Sequence, residues 1–204
     1  LLNRHKRAVA ASNIVFFGVA YKADIGDIRE SAALQVMKAL YSAGANVSYW
    51  DPVRAGHSSV KSGPKLEFTK HERAALPLEA ANNLKAHGEV FIYEPVELGK
   101  TWSDVRNQVL NDDVNCIVLA AAHTEFRDTY ADILSTERRP AIADLCNAIE
   151  PWLRDKKENP DPGDPGAADR YRYTLAANDD YALLGVTQTE LSQLEAQPID
   201  VILR

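Results

Sequence analysis

The chain has 204 residues, a net charge of −6 and 46% hydrophobic residues, enough for one good-sized core and a small appendage. An acidic balance without a basic stripe excludes nucleic acid as the main partner, because phosphate binding needs clustered Lys and Arg, and no apolar run approaches the roughly 18–20 residues of a membrane span. Two cysteines, Cys116 and Cys146, cannot build a disulfide framework and fit a reducing compartment, so a cytoplasmic protein is expected. The opening Leu1-Leu2, without Met, reads as a cut from a longer polypeptide.

Short β-rich runs alternate with helical ones from Asn13 to Asn147, the pattern of a parallel sheet covered by crossover helices. Ile14-Val15-Phe16-Phe17 is continuously apolar, as a strand buried on both faces should be, and Gly18 ends it. Residues 31–43 carry Leu34, Met37, Leu40 and Tyr41 at helical spacing, with Gly44 where a C-terminal cap belongs. Val47-Ser48-Tyr49-Trp50 is a second strand, stopped by Asp51-Pro52. Residues 53–111 form an insertion with a Gly/Ser/Lys-rich loop, a helix predicted over 71–85 that contains Pro77, and the apolar run Val90-Phe91-Ile92-Tyr93. Residues 116–120 then predict a buried strand, 124–134 a short helix and 141–143 a terminal strand. Beyond Pro151 the charged stretch to Arg170 carries Pro160, Pro162 and Pro165 and reads as a linker over 151–170. In the tail, 171–204, strands are expected at 171–175 and 199–203 and a helix at 187–196, packed back on the domain.

The informative segment joins the first strand to the first helix: Gly18-Val19-Ala20-Tyr21-Lys22-Ala23-Asp24-Ile25-Gly26-Asp27-Ile28-Arg29-Glu30-Ser31. In an open α/β sheet, ligands collect at the carboxyl ends of the strands, where a helix N-terminus offers free amides to an anion. Lys22 and Arg29 add positive charge there. The spacing is neither a dinucleotide G-x-G-x-x-G nor a P-loop. Two readings stand: an anion-facing rim, or simple capping, with Asp27 and Glu30 as a capping box, Ser31 as a cap and Arg29 paired with Asp24. His57, His71, His87 and His123 lack metal-site spacing, so no metal is expected, and His123 is either a turn residue or an edge of the ligand crevice.

The string Gly18-Val19-Ala20-Tyr21-Lys22, then Asp24, then Asp27-x-Arg29-Glu30-Ser31 and a helix, resembles the signature that opens the C-terminal, UDP-binding domain of the UDP-glucose/GDP-mannose dehydrogenase family. The strand ending in Asp51-Pro52 and the stretch His123-Thr124-Glu125-Phe126 resemble further parts of it, and Asn3-Arg4-His5 resembles the end of the connecting helix, placed at residues 1–12. The resemblance implies a domain at 13–150 that binds the nucleotide part of a nucleotide sugar, within an enzyme that oxidises C6 to a carboxylate with NAD. It implies substrate contacts at Tyr21 and Lys22, an Arg29 that reaches toward NAD, and an Asp27 that orients Arg29 or caps the helix. It further implies a homo-oligomeric parent and a nucleotide uronic acid as product, for surface polysaccharide; Ala20-Tyr21-Lys22 leans toward UDP-N-acetylhexosamines.

The departures matter as much. The Gly-rich NAD fingerprint and the Gly-Gly-Ser-Cys-x-Pro-Lys segment with the family's catalytic cysteine do not occur in this sequence, so the chain by itself is expected to be inactive, with no catalytic residue of its own. Asp144-Leu145-Cys146-Asn147 resembles the family's Asp-x-Arg-Asn motif with Cys146 in place of a substrate-binding arginine, a changed substrate contact because a thiol cannot supply the bidentate guanidinium. The expected fold is a three-layer α/β sandwich with a mainly parallel, Rossmann-like sheet, an inserted helical region and a C-terminal tail. Two rival functions keep the same fold: a non-catalytic nucleotide-sugar sensor, and an oligomerisation module.

Overall fold

The computed structural model describes residues 8–55, 63–111, 114–135, 140–159 and 181–183. Its first unit is the βαβ anticipated from the apolar pattern: β1 (Asn13–Phe17), α1 (Ala32–Ser42) and β2 (Asn46–Trp50). Ser31 caps α1, its Oγ accepting the Ala33 N–H at 3.2 Å. Gly44, at φ 87°, turns the chain out of the helix in the left-handed conformation that a side chain would oppose. After a short α2 (Pro52–Ala55) the insertion forms β3 (Leu66–Phe68), α3 (Lys70–Ala74), α4 (Leu78–Asn82), β4 (Lys85–His87) and β5 (Val90–Tyr93). The chain continues through β6 (Val96–Glu97), α5 (Trp102–Asn111), β7 (Val114–Leu119), a 3-10 turn (Thr124–Phe126) leading into α6 (Arg127–Ser135), β8 (Ala141–Asp144), α7 (Ile149–Glu158) and β9 (Tyr181–Leu183).

Among the described residues the main sheet has the order β6-β2-β1-β7-β8-β9, and every pairing in it is parallel. Along the central strands β1, β2, β7 and β8, alternate apolar side chains enter opposite cores, as the pleat requires. Ile14, Phe16, Val47, Tyr49, Cys116 and Val118 pack with α1 on one face, and Val15, Phe17, Trp50, Ile117 and Leu119 pack on the other with the buried side chains of α5, α6 and α7. The result is the expected three-layer α/β sandwich. No helix among the described residues is long and apolar enough to cross a membrane.

Three sequence expectations change. The helix predicted over 71–85 is broken at Pro77 into α3 and α4: proline cannot donate a helical hydrogen bond, and its carbonyl instead accepts the Ala81 N–H that opens α4. The insertion is therefore not simply helical. It carries an antiparallel β3-β5-β4 sheet whose Leu66 and Phe68 join the core on the α1 face, where Tyr41 stacks on Tyr93 at 4.0 Å between ring centroids. The 151–170 linker gives way at its start, because residues 151–158 belong to α7, with Trp152 and Leu153 buried. Pro151 is tolerated in the first turn, where its missing N–H would have had no helical partner. Finally, β8 is not the terminal strand, since β9 adds beside it. The strands expected at 171–175 and 199–203, the helix at 187–196 and the connecting-helix motif at 3–5 lie outside the described residues.

Candidate functional site

Because β2, β1, β7 and β8 run parallel and in register, Trp50, Phe17, Leu119 and Asp144 end side by side. Whatever follows each strand therefore stands on one edge, the edge where parallel sheets bind ligands. The 18–31 loop leaves β1 through Gly18, which has φ 78° and donates its N–H to the Trp50 carbonyl at 2.9 Å. A Cβ on Gly18 would come within 2.7 Å of the Ala121 Cβ, so the loop exits pressed against the segment after β7.

Two fully buried polar side chains then fix the loop. Asp51, just past β2, accepts the Val19 N–H on Oδ2 at 2.9 Å. His123, just past β7, accepts the Asp24 N–H on Nδ1 at 2.8 Å, and its Nε2 lies 3.5 Å from Asp51 Oδ2. A ring nitrogen that accepts an amide carries no proton, which assigns His123 as the neutral Nε2–H tautomer facing Asp51. Asp24 returns the contact: its carboxylate accepts the Thr124 backbone N–H at 2.8 Å and hydroxyl at 2.7 Å. Those bonds hold the Asp24 carboxyl below its ordinary pKa. Asp24 and Glu30 both adopt positive φ, 57° and 59°. Across Asp24 the loop closes on itself as the Tyr21 N–H donates to the Asp27 carbonyl at 3.0 Å.

The tip so formed carries the predicted residues on its outside. Tyr21 is 46% exposed, and the Lys22 ammonium sits 5.1 Å from its ring centroid. Arg29, 86% exposed, is clamped by Asp27: its backbone N–H donates to Oδ1 at 2.9 Å and its Nε to both carboxylate oxygens at 3.0 Å, with Nη2 on Oδ2 as well. The pairing raises the guanidinium pKa further. Asp27 thus orients Arg29 rather than capping α1, a role that Ser31 takes, and Asp24 binds Thr124 rather than Arg29. Among the described residues Lys22 has no ion-pair partner, so the rim presents one clamped and one unpaired cation.

Cys146 is arranged differently. Its sulfur lies 3.5 Å from Asp144 Oδ1 and 3.6 Å from the Leu119 carbonyl, and burial, with Asp144 adding to it, pushes the thiol up to about 12. That is no nucleophile. Asp144, fully buried, spends its Oδ2 on the Ala148 and Ile149 amides at 2.8 and 2.9 Å and so closes the N-terminus of α7 from outside. Trp50 packs on Phe17 and Phe126, both at 5.1 Å, as a sheet-packing residue, although it also lines a cavity of about 410 Å³ with Pro52, Trp102 and Thr129.

Sequence reasoning brought out Tyr21, Lys22, Asp27 and Arg29 and missed the part played by Asp51, His123 and Thr124 in holding them. The available signal was a polar residue shortly after a buried strand: Asp51 directly past β2 and His123 four residues past β7.

The sequence model of the UDP-glucose/GDP-mannose dehydrogenase family, UDP binding domain, matches residues 15–151. No curated protein matches the sequence. A solved structure similar to the chain, that of UDP-D-ManNAc dehydrogenase from Pyrococcus horikoshii, shares 18% identity at a TM-score of 0.40 over 72% of this chain, and the chain spans 24% of that protein's length. With the family match covering most of the length, and the crevice loop and parallel sheet in place, the chain belongs to the UDP-glucose/GDP-mannose dehydrogenase family, through its UDP binding domain.

Proposed function

We propose that this edge binds the nucleoside diphosphate part of a nucleotide sugar, as the substrate domain of an NAD-dependent 6-dehydrogenase that forms a nucleotide uronic acid. The observation that carries the reading is the rim of the 18–31 loop, where Tyr21, Lys22 and Arg29 stand exposed at the carboxyl edge of the sheet. A diphosphate brings two acidic groups, and an ammonium with a pre-aimed guanidinium answers them. Tyr21 and Lys22 are the proposed substrate contacts. The substrate's sugar is an N-acetylhexosamine in this reading.

The described residues do not fit a dinucleotide of their own. The N-terminus of α1 is approached by a long loop rather than a glycine turn, and Ser31 already caps its amide of Ala33. Arg29, in our reading, reaches a cofactor held on another domain of the parent, and hydride transfer is that domain's chemistry. Cys146 contributes shape rather than charge, so the substrate contact an arginine would make there is given up. That feature also supports the second reading, an oligomerisation module that keeps the fold without the ligand.

The test is calorimetric titration of the chain with UDP, GDP, UDP-N-acetylglucosamine and NAD. Uridine-selective binding that falls about tenfold or more in Lys22→Ala, for a loss of about 1.4 kcal/mol or more, supports the substrate-domain reading. Absence of any nucleotide binding would sink it and leave an oligomerisation module.

A further inference from the structure

Beside the bonds within the 18–31 loop, a set of contacts from the segment after β7 gives it shape. Asp24 sits in the left-handed region at φ 57°, donates its N–H to His123 Nδ1 at 2.8 Å and accepts on its carboxylate from Thr124. His123 is 0% exposed and has Asp51 Oδ2 3.5 Å from its other nitrogen, while Asp51 also holds Val19 at the start of the same loop. One buried imidazole therefore lies between the two ends of the segment that carries Tyr21 and Lys22. We propose that His123 is a positioning residue of the nucleotide site: with Nδ1 bare, it locks Asp24 into its left-handed turn and so holds Tyr21 and Lys22 in the geometry that receives the diphosphate. The inference rests on the function proposed above and deepens it. Its physical content is preorganisation: when the competent loop is populated only a fraction of the time, the apparent affinity falls by that fraction.

The experiment combines nitrogen-15 NMR of the histidine rings and amide exchange in the full chain with UDP titration of His123→Leu, His123→Asn and Thr124→Val. Expected are a bare Nδ1 with a protonated Nε2 on His123 and a slowly exchanging Asp24 amide. Losing the acceptor in His123→Leu should weaken UDP about tenfold or more, if the competent loop drops to a tenth of the population. Asn places an amide oxygen the same number of bonds from Cβ as Nδ1, and should recover most of that loss. A histidine that only packs would show no such split between Leu and Asn. Thr124→Val, at an exposed position, should give a smaller loss in a normally folded chain, and it decides the matter with the ring spectrum should His123→Leu fail to fold. A protonated Nδ1, or a folded His123→Leu chain that binds UDP like the wild type, overturns the positioning role alone. A wild-type chain without affinity for UDP overturns the function proposed above and the ligand role of His123 with it.

Discussion

The buried carboxylate of Asp51 accepts the backbone N–H of Val19 at 2.9 Å, tying the end of β2 to the loop that leaves β1. Both groups are out of water, so neither can turn to solvent if the other is removed. Asp51→Ala should lower stability by about 1–3 kcal/mol for the unpaired amide, with a further loss for the cavity. Asp51→Asn keeps an acceptor oxygen and should cost less. Urea unfolding followed by fluorescence measures both, and equal losses in the two variants would show that the hydrogen bond is not what matters.

Lys38 and Glu72 join α1 to α3 across 2.7 Å, and Glu72 is also half of a capping box with Thr69. The Lys38 hydrogen bond, followed by those to Thr69, holds the Glu72 carboxyl down at about 2 from an ordinary 4.5. A folded-state value below the unfolded one means the stabilisation is present above about pH 4.5 and lost as the pH falls through about 2. Lys38→Met should raise the Glu72 titration midpoint toward its ordinary value, read by carbon-13 NMR. The gap in urea midpoint between wild type and variant should be open at neutral pH and narrow on acidification; a gap that stays constant to the acid limit would contradict the pairing.

Burial pushes both thiols, Cys116 and Cys146, up to about 12. The native chain should therefore react only slowly with a thiol reagent at pH 8, and both cysteines should react together on unfolding in urea. Rapid labelling of Cys146 in the native state would mean an accessible thiolate and would reopen a chemical role for it.

Much of this fold was readable because its physics is local. The unbroken apolar run at Ile14-Val15-Phe16-Phe17 announces a strand covered on both faces, and Ser31 and Gly44 mark the ends of α1 through a hydroxyl cap and a positive φ. The insertion was harder to read. Leu66 and Phe68 alternate over too short a stretch for periodicity to declare β3, and its partner β5 lies beyond two helices. The Arg29 clamp was expected as one of two pairings, with Asp27 or with Asp24; both carboxylates lie within reach along the chain, and the turn at Asp24 gives its carboxylate to Thr124 instead.

The sequence by itself determined the β1-α1-β2 unit and the strands β7 and β8, which residues carry charge on the loop after β1, and the family to which that loop's motif belongs. Only the tertiary structure decided what holds the loop. Asp24 and His123 stand 99 positions apart, and they meet because β1 and β7 are neighbours in the sheet. Strand order is set by how whole faces pack against one another, which no local spacing encodes, and a hydrogen bond between two strand ends exists only once that order is fixed.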